Sequence, residues 1–277
     1  MLDIGEVITA MVTPFDKNYK LDLESCGKLL EYLINEGSDG ILLSGSTGES
    51  STLDDKEKIE LFKFAKDNFG SRVKIIAGTG SNDTKHSIEL SKEAEKIGVD
   101  CLLLVAPYYN KPSQWGLFKH FEAIAGEVKI PIILYNVPSR TSSNISSRTC
   151  VELSKIDNIC GIKEASGDMR QISEIIRDTD KSFLVYSGND GDTLPILSIG
   201  GYGVISVASH IICREIKEMI SSFKRGDLNK AAEMHRNLLD IFYGIFIATN
   251  PVPIKDCLLY TSPSPRDLST SRMPSSA

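Results

Sequence analysis

The chain has 277 residues, 41% of them hydrophobic and 25% charged, ordinary globular values that suit one barrel-sized domain as well as two smaller ones. With 31 Lys plus Arg against 37 Asp plus Glu, a formal net charge of -6 and no basic run, nucleic acid and anionic membrane are disfavoured as partners. The six cysteines (26, 101, 150, 160, 213, 257) show no CxxC or Cys/His ligand spacing, the N-terminus "MLDIGEVITA" carries acids where a secretion signal needs bases, and no apolar run approaches a membrane span, which points to a soluble cytoplasmic protein with reduced thiols.

In chain order, short apolar runs rich in Val, Ile and Leu predict strands at Glu6 to Ala10, Gly40 to Leu43, Val73 to Ala77, Cys101 to Val105, Ile132 to Tyr135, Ile159 to Lys163, Phe183 to Tyr186 and Gly203 to Val207. Between them lie stretches with helical spacing, such as Leu29, Leu30, Leu33 and Ile34, or Ile172, Ile175 and Ile176. Several open on a capping residue: Asp54, Asn82, Ser113, Asp168. Strand and helix alternate with a repeat of roughly 25 to 35 residues, the signature of parallel βαβ units. Eight such units, with no GxGxxG turn after the first strand, predict an α/β fold of the (β/α)8 TIM-barrel class rather than an open doubly wound sheet. The expected division is a catalytic barrel over 1–224, the start of a truncated C-terminal helical region over 225–256, and a tail over 257–277.

In such a barrel, catalytic groups come from the C-terminal strand ends and the loops that follow. Here those ends read "SGSTGES" (44–50), "APYYNKPSQ" (106–114), "YNVPSRTS" (135–142), "KEASG" (163–167), "SGND" (187–190) and "GVISV" (203–207). Lys163 closes an apolar run where Val or Ile is usual. One reading has it snorkel to solvent or pair with Glu164. The other notes that Tyr135 ends the neighbouring strand, and that a desolvated amine beside a phenol becomes a nucleophile for a carbonyl. In "GSTGES", Gly45 and Gly48 form either a plain tight turn or an approach to a small anion, with Ser46 and Thr47 as donors to a carboxylate. No GK[ST] follows, which disfavours a nucleotide loop. Tyr108 and Tyr109 suit packing at an interface. Arg140 is either a surface residue or a bidentate clamp for a second carboxylate. None of the four histidines (86, 120, 210, 235) has ligand spacing, so no metal site is expected.

"GSTGES", "PYYNKPSQWGLFKHF", "ILYNVPSRT", "GIKEASG", "SGND", "GGYGVISV" and "NPVPIK" together resemble the dihydrodipicolinate synthase family. "GIKEAS" alone marks only the wider pyruvate-dependent class I aldolases; Tyr108-Tyr109-Asn110 with Pro138-Ser139-Arg140-Thr141 is more specific. The resemblance implies a lyase of lysine and diaminopimelate biosynthesis that condenses pyruvate with L-aspartate 4-semialdehyde, with no added cofactor. It implies that Lys163 forms an imine with pyruvate and that Tyr135 relays protons. It further implies that Thr47 links Tyr135 to Tyr109, which reaches in from a neighbouring subunit of a homo-oligomer, a tetramer or a dimer. Arg140 would meet the semialdehyde carboxylate, with Gly188 and Ile205 lining the pyruvate pocket.

Two departures stand out. Ser46 replaces the family's usual threonine, a spelling shared with the N-acetylneuraminate lyase branch, but it keeps a hydroxyl for the relay. His86, Asp55 and Lys58 occupy the region of the family's lysine feedback site with side chains unlike those of the enterobacterial relatives, so lysine inhibition is not implied. The alternatives are a sibling aldolase for sialic or keto-sugar acids and a non-catalytic barrel. Finally, the segment from Cys257 is crowded with Ser, Thr and Pro and predicts disorder. One back-translation of Cys257 to Asp267 resembles a sequencing-library adapter, so the tail is expected to be non-native, standing where relatives continue into further helices.

Overall fold

Eight short strands pair in parallel and close into a barrel in sequence order: β1 (Val7–Ala10), β2 (Gly40–Leu43), β3 (Lys74–Gly78), β4 (Cys101–Val105), β5 (Ile132–Asn136), β6 (Ile159–Glu164), β7 (Leu184–Ser187) and β8 (Gly203–Ser206). The computed structural model describes residues 4–261 and 271–272. Strands such as GILL, CLLLV and IILYN are apolar throughout because both faces are covered. One faces the barrel interior and the other the surrounding helices. The expected starts at Glu6, Val73 and Phe183 each shift one residue on. β5, β6 and β7 each run one residue further than the apolar pattern indicates, and those extra residues matter at the site.

Alternation along each strand divides the core in two. Ile8, Ala10, Leu42, Ile133, Tyr135 and Ile205 belong to the inner cluster, whereas Val7, Ile41, Leu43, Leu134 and Ile162 face the helices. The helices form where capping chemistry meets an apolar stripe. Asp54 accepts from the Glu57 amide while the Glu57 side chain accepts from the Asp54 amide, opening the helix Asp55–Phe69. Ser113 and Asp168 cap as expected. At the third helix, Thr84–Ile97, the cap is Asp83 rather than Asn82: the Asp83 carboxylate accepts from both Lys85 and His86 amides, while the Asn82 carbonyl accepts from the Asn110 side chain.

After β8 the helix Ser209–Lys224 completes the eighth unit, and the helices Leu228–Gly244 and Val252–Thr261 pack against it. The last helix corrects the expectation of disorder from Cys257 onward, since it runs through that residue to Thr261 and fully buries Leu258. The Ser/Thr/Pro crowding begins only at Thr261, so nothing before it opposes the helix. Further on, Ser271 Oγ and the Arg272 amide donate to Glu49; 262–270 and 273–277, on which the rest of that expectation falls, lie outside the described residues. Among the described residues no helix is long and apolar enough to cross a membrane, and no cluster of three or more His, Cys, Asp and Glu could hold a metal ion.

Candidate active site

Lys163 owes its position to an irregularity in β6. The register with β5 runs Ile132 to Ile159, then Ile133 to Gly161, so Cys160 is the extra residue of a bulge. Such a shift of one residue reverses which side chains face inward. Beyond it Tyr135 pairs with Lys163 and Asn136 with Glu164. Gly161 suits the bulge, because a Cβ there would meet the Leu184 carbonyl at 2.5 Å.

Lys163 and Glu164 consequently part company. Glu164 is fully buried on the outer face, where it accepts from Asn136, Gln171 and Ser166, and burial pushes its carboxyl up against these donors. Lys163 points into the barrel, 5% exposed, with Nζ 4.4 Å from the Tyr135 ring centroid. The pairing with Glu164 and the snorkelling lysine are both ruled out by this geometry. Desolvation lowers the Lys163 amine to a pKa of about 8; Asp190 opposes the shift and Arg140 adds to it.

The phenol of Tyr135 is itself pushed up by burial, with Arg140 and a hydrogen bond to Ser46 acting in the opposite sense. Its hydroxyl partner is thus Ser46, next to the Thr47 that the resemblance implied. Thr47 is buried one residue on, and its Oγ1 accepts from Asn250 Nδ2 at 2.9 Å. Arg140 lies in the short helix Pro138–Thr141 that follows β5, a turn started by Pro138. Lys163, Tyr135, Ser46, Thr47, Arg140 and Gly188 all line one cavity of about 320 Å³ at the C-terminal mouth. At Gly188 a Cβ would stand 2.7 Å from that of Ala165, so only glycine lets this wall close onto β6.

Two expected residues sit elsewhere. Ile205 is buried in the inner cluster and does not line the cavity; Val207, two residues further on, does. Tyr109 is 88% exposed with φ of 73° and does not line this cavity. His86, Asp55 and Lys58 do come together: His86 Nε2 lies 2.9 Å from the Asp55 carboxylate and Lys58 Nζ 3.7 Å from it.

Among the cavity-wall residues to which sequence reasoning gave no role are Asp190 and Asn250. Asp190 is buried and accepts from Ser206 Oγ and from the amides of Val207 and Ala208 at 3.2 and 3.1 Å. Burial pushes its carboxyl up, and these donors together with Lys163 pull it back. Its place directly after β7 in "SGND" was a usable signal. Asn250 comes from beyond the barrel, where strand-end logic gives none.

A (β/α)8 barrel that desolvates one lysine at its C-terminal mouth, beside a phenol and a hydroxyl-bearing loop, has the architecture of a lyase of the Schiff-base, class I aldolase kind. The comparisons with known proteins narrow the class. The chain belongs to the dihydrodipicolinate synthetase family, whose model matches residues 3–267. It is 51% identical over 254 residues to the 4-hydroxy-tetrahydrodipicolinate synthase of Moorella thermoacetica, covering 92% of this chain and 87% of that protein. The crystal structure of a dihydrodipicolinate synthase from Bacillus anthracis superposes with a TM-score of 0.94 at 46% identity, covering 99% of this chain and 92% of the other. The chloride-inhibited dihydrodipicolinate synthase of Acinetobacter baumannii complexed with pyruvate gives a TM-score of 0.92 at 37% identity, covering 98% and 92%. These relatives carry the synthase name, not that of the sialic or keto-sugar acid aldolases.

Proposed function

We propose that this chain condenses pyruvate with L-aspartate 4-semialdehyde to give 4-hydroxy-tetrahydrodipicolinate in lysine and diaminopimelate biosynthesis, in the cytoplasm and as a homo-oligomer. The observation that carries the reading is the pairing of Lys163 with Tyr135 inside the barrel, 4.4 Å from nitrogen to ring centroid. The neutral Lys163 amine adds to C2 of pyruvate, and the carbinolamine loses water to form an imine. Protonated, the imine nitrogen takes up the electron pair released when a proton leaves C3. The resulting enamine attacks the aldehyde carbon of the second substrate, and its oxygen takes a proton. The amino group brought by the second substrate then adds to the imine carbon and expels the Lys163 amine, closing the ring of 4-hydroxy-tetrahydrodipicolinate, so the water lost on imine formation is the one water the overall reaction releases.

Tyr135 is the group that carries these protons. A phenol near pKa 10 holds little phenolate at neutral pH, and burial leaves less still, so it works as a link in a chain of hydroxyls with Ser46. Arg140, which lines the entrance, supplies a planar fork for the semialdehyde carboxylate. Tyr109, 88% exposed, completes the chain from a second subunit. The test is a coupled assay with pyruvate and a panel of aldehydes, run beside borohydride trapping and peptide mapping. Turnover with aspartate 4-semialdehyde and a three-carbon adduct on Lys163 alone are expected. An adduct on another lysine, or preference for a sugar aldehyde, overturns the reading.

A further inference from the structure

Asn250 lies outside the barrel in sequence, in the connection that precedes the helix Val252–Thr261, yet it is 4% exposed and lines the cavity that holds Lys163. Its Nδ2 donates to Thr47 Oγ1 at 2.9 Å, a fully buried contact spanning 203 residues. Its Oδ1 is buried with no partner among the described residues. A second side chain of the same segment acts on the same loop: Lys255 forms a buried ion pair with Glu49, two residues beyond Thr47.

The direction of the Asn250 bond has a chemical consequence. A threonine hydroxyl has one proton to give and two lone pairs to receive. With Asn250 donating, one lone pair is occupied and the proton is left for another acceptor. The reversed amide would consume that proton on Oδ1 and leave both N–H bonds of a buried amide unpartnered, a costlier arrangement than one unpartnered carbonyl oxygen. We propose that Asn250 is a positioning residue of the proton relay: by donating to Thr47 it aims that hydroxyl's proton toward the tyrosine and substrate side of the cavity. The inference rests on the Schiff-base reading above, and it adds a residue that acts through Thr47 rather than on the substrate.

Asn250→Asp is the informative variant, because it keeps the shape and reverses the polarity. An ionised carboxylate only accepts, so Thr47 must donate to it. At pH 8 kcat is expected to fall by about 10²-fold, the low end of what a positioned proton-transfer group contributes, while the KM for pyruvate and the borohydride adduct on Lys163 persist. As the pH is lowered and the new carboxyl protonates, its O–H can donate again, so the deficit relative to wild type should shrink. A purely structural role would not give that recovery. Asn250→Ala, which introduces no charge, serves if the aspartate variant does not fold. It should lose activity without the recovery, and in a Thr47→Val background it should have no further effect, because the two residues act as one unit. Full kcat at pH 8, loss of the lysine adduct in a folded Asn250 variant, or additive effects with Thr47→Val would each overturn the inference. Absence of the adduct in the wild type would instead overturn the Schiff-base reading itself.

Discussion

Lys163 and Tyr135 are Cα partners across β5 and β6, and the amine sits 4.4 Å from the centre of the phenol ring. Two effects of this contact oppose each other. The ring face favours the ammonium by about 1 kcal/mol or somewhat more when dry, as does the Asp190 carboxylate, while removal from water favours the neutral amine. Desolvation wins, because the pKa falls from 10.5 to about 8, a difference worth about 3 kcal/mol. The strand pair thus delivers a nucleophile with a usable neutral fraction near physiological pH, about a fifth at pH 7.4 for a pKa of about 8.

Imine formation should therefore follow the neutral fraction of Lys163. Its rate is expected to rise about tenfold per pH unit below 8 and to level off above it. Single-turnover trapping with pyruvate across pH 6 to 10 measures this directly. A rate still climbing at pH 10 would mean that the amine keeps its ordinary pKa.

Arg140 pushes Lys163 in the same direction as desolvation. Removing that cation in Arg140→Ala should raise the lysine pKa, so the midpoint of the trapping profile moves upward. The KM for the semialdehyde should rise as well, since the carboxylate loses its bidentate partner, while the KM for pyruvate changes little. A profile that keeps its midpoint would place the guanidinium too far from the amine to matter.

Tyr135→Phe keeps the ring against Lys163 and deletes only the hydroxyl that meets Ser46. The fold should lose about 1 kcal/mol for one hydrogen bond, whereas kcat should drop by roughly 10² to 10⁴. Thermal melting and steady-state assays on the same sample separate the two effects. Unchanged turnover would remove Tyr135 from the relay.

The barrel was legible because its signal is local and repeated: apolar runs bounded by capping residues, eight times over. Lys163 and Tyr135 could be read as strand-end residues for the same reason. What was not legible is the bulge at Cys160, which no residue pattern announces and on which the inward aim of Lys163 depends. Ile205 shows a second limit: its strand is as expected, but the pattern does not say how deep along a strand a side chain sits, and Val207 rather than Ile205 is among the residues lining the cavity. Asn250 and Lys255 open and close the quoted "NPVPIK", but their pairings were hidden for a third reason. Their partners, Thr47 and Glu49, are about 200 residues away in sequence, and pairings of that range leave no periodicity.

Glu49 and Lys255 form a fully buried ion pair, with Lys255 also 4.6 Å from the Phe15 ring centroid. Lys255→Met should destabilise the protein by about 3 kcal/mol, because the Glu49 carboxylate keeps its burial and loses its counter-charge. Lys255→Met combined with Glu49→Gln should recover part of that, since no buried charge then remains. Denaturant unfolding monitors both variants. A single variant costing under about 0.5 kcal/mol would show the pair to be hydrated.

His210 joins the ends of β1 and β8. It donates from Nδ1 to the Val207 carbonyl at 2.8 Å, and its Nε2 accepts from the Val12 amide at 3.1 Å. Burial lowers its pKa from 6.5 to about 4, partly offset by the Val207 bond. Protonating Nε2 would in addition set two N–H donors against each other. In the unfolded chain the ring keeps its ordinary pKa, so between pH 6.5 and 4 only the unfolded state takes up the proton. The stability owed to this histidine is then fully present above pH 6.5 and falls with acid, by about 3 kcal/mol in all, levelling off below pH 4. In His210→Asn, whose amide can still accept from one backbone group and donate to the other, that acid slope should disappear whatever the variant's stability at neutral pH. Unfolding free energies measured from pH 4 to 7.5 for both proteins decide the point. Equal slopes would show that His210 does not govern acid sensitivity.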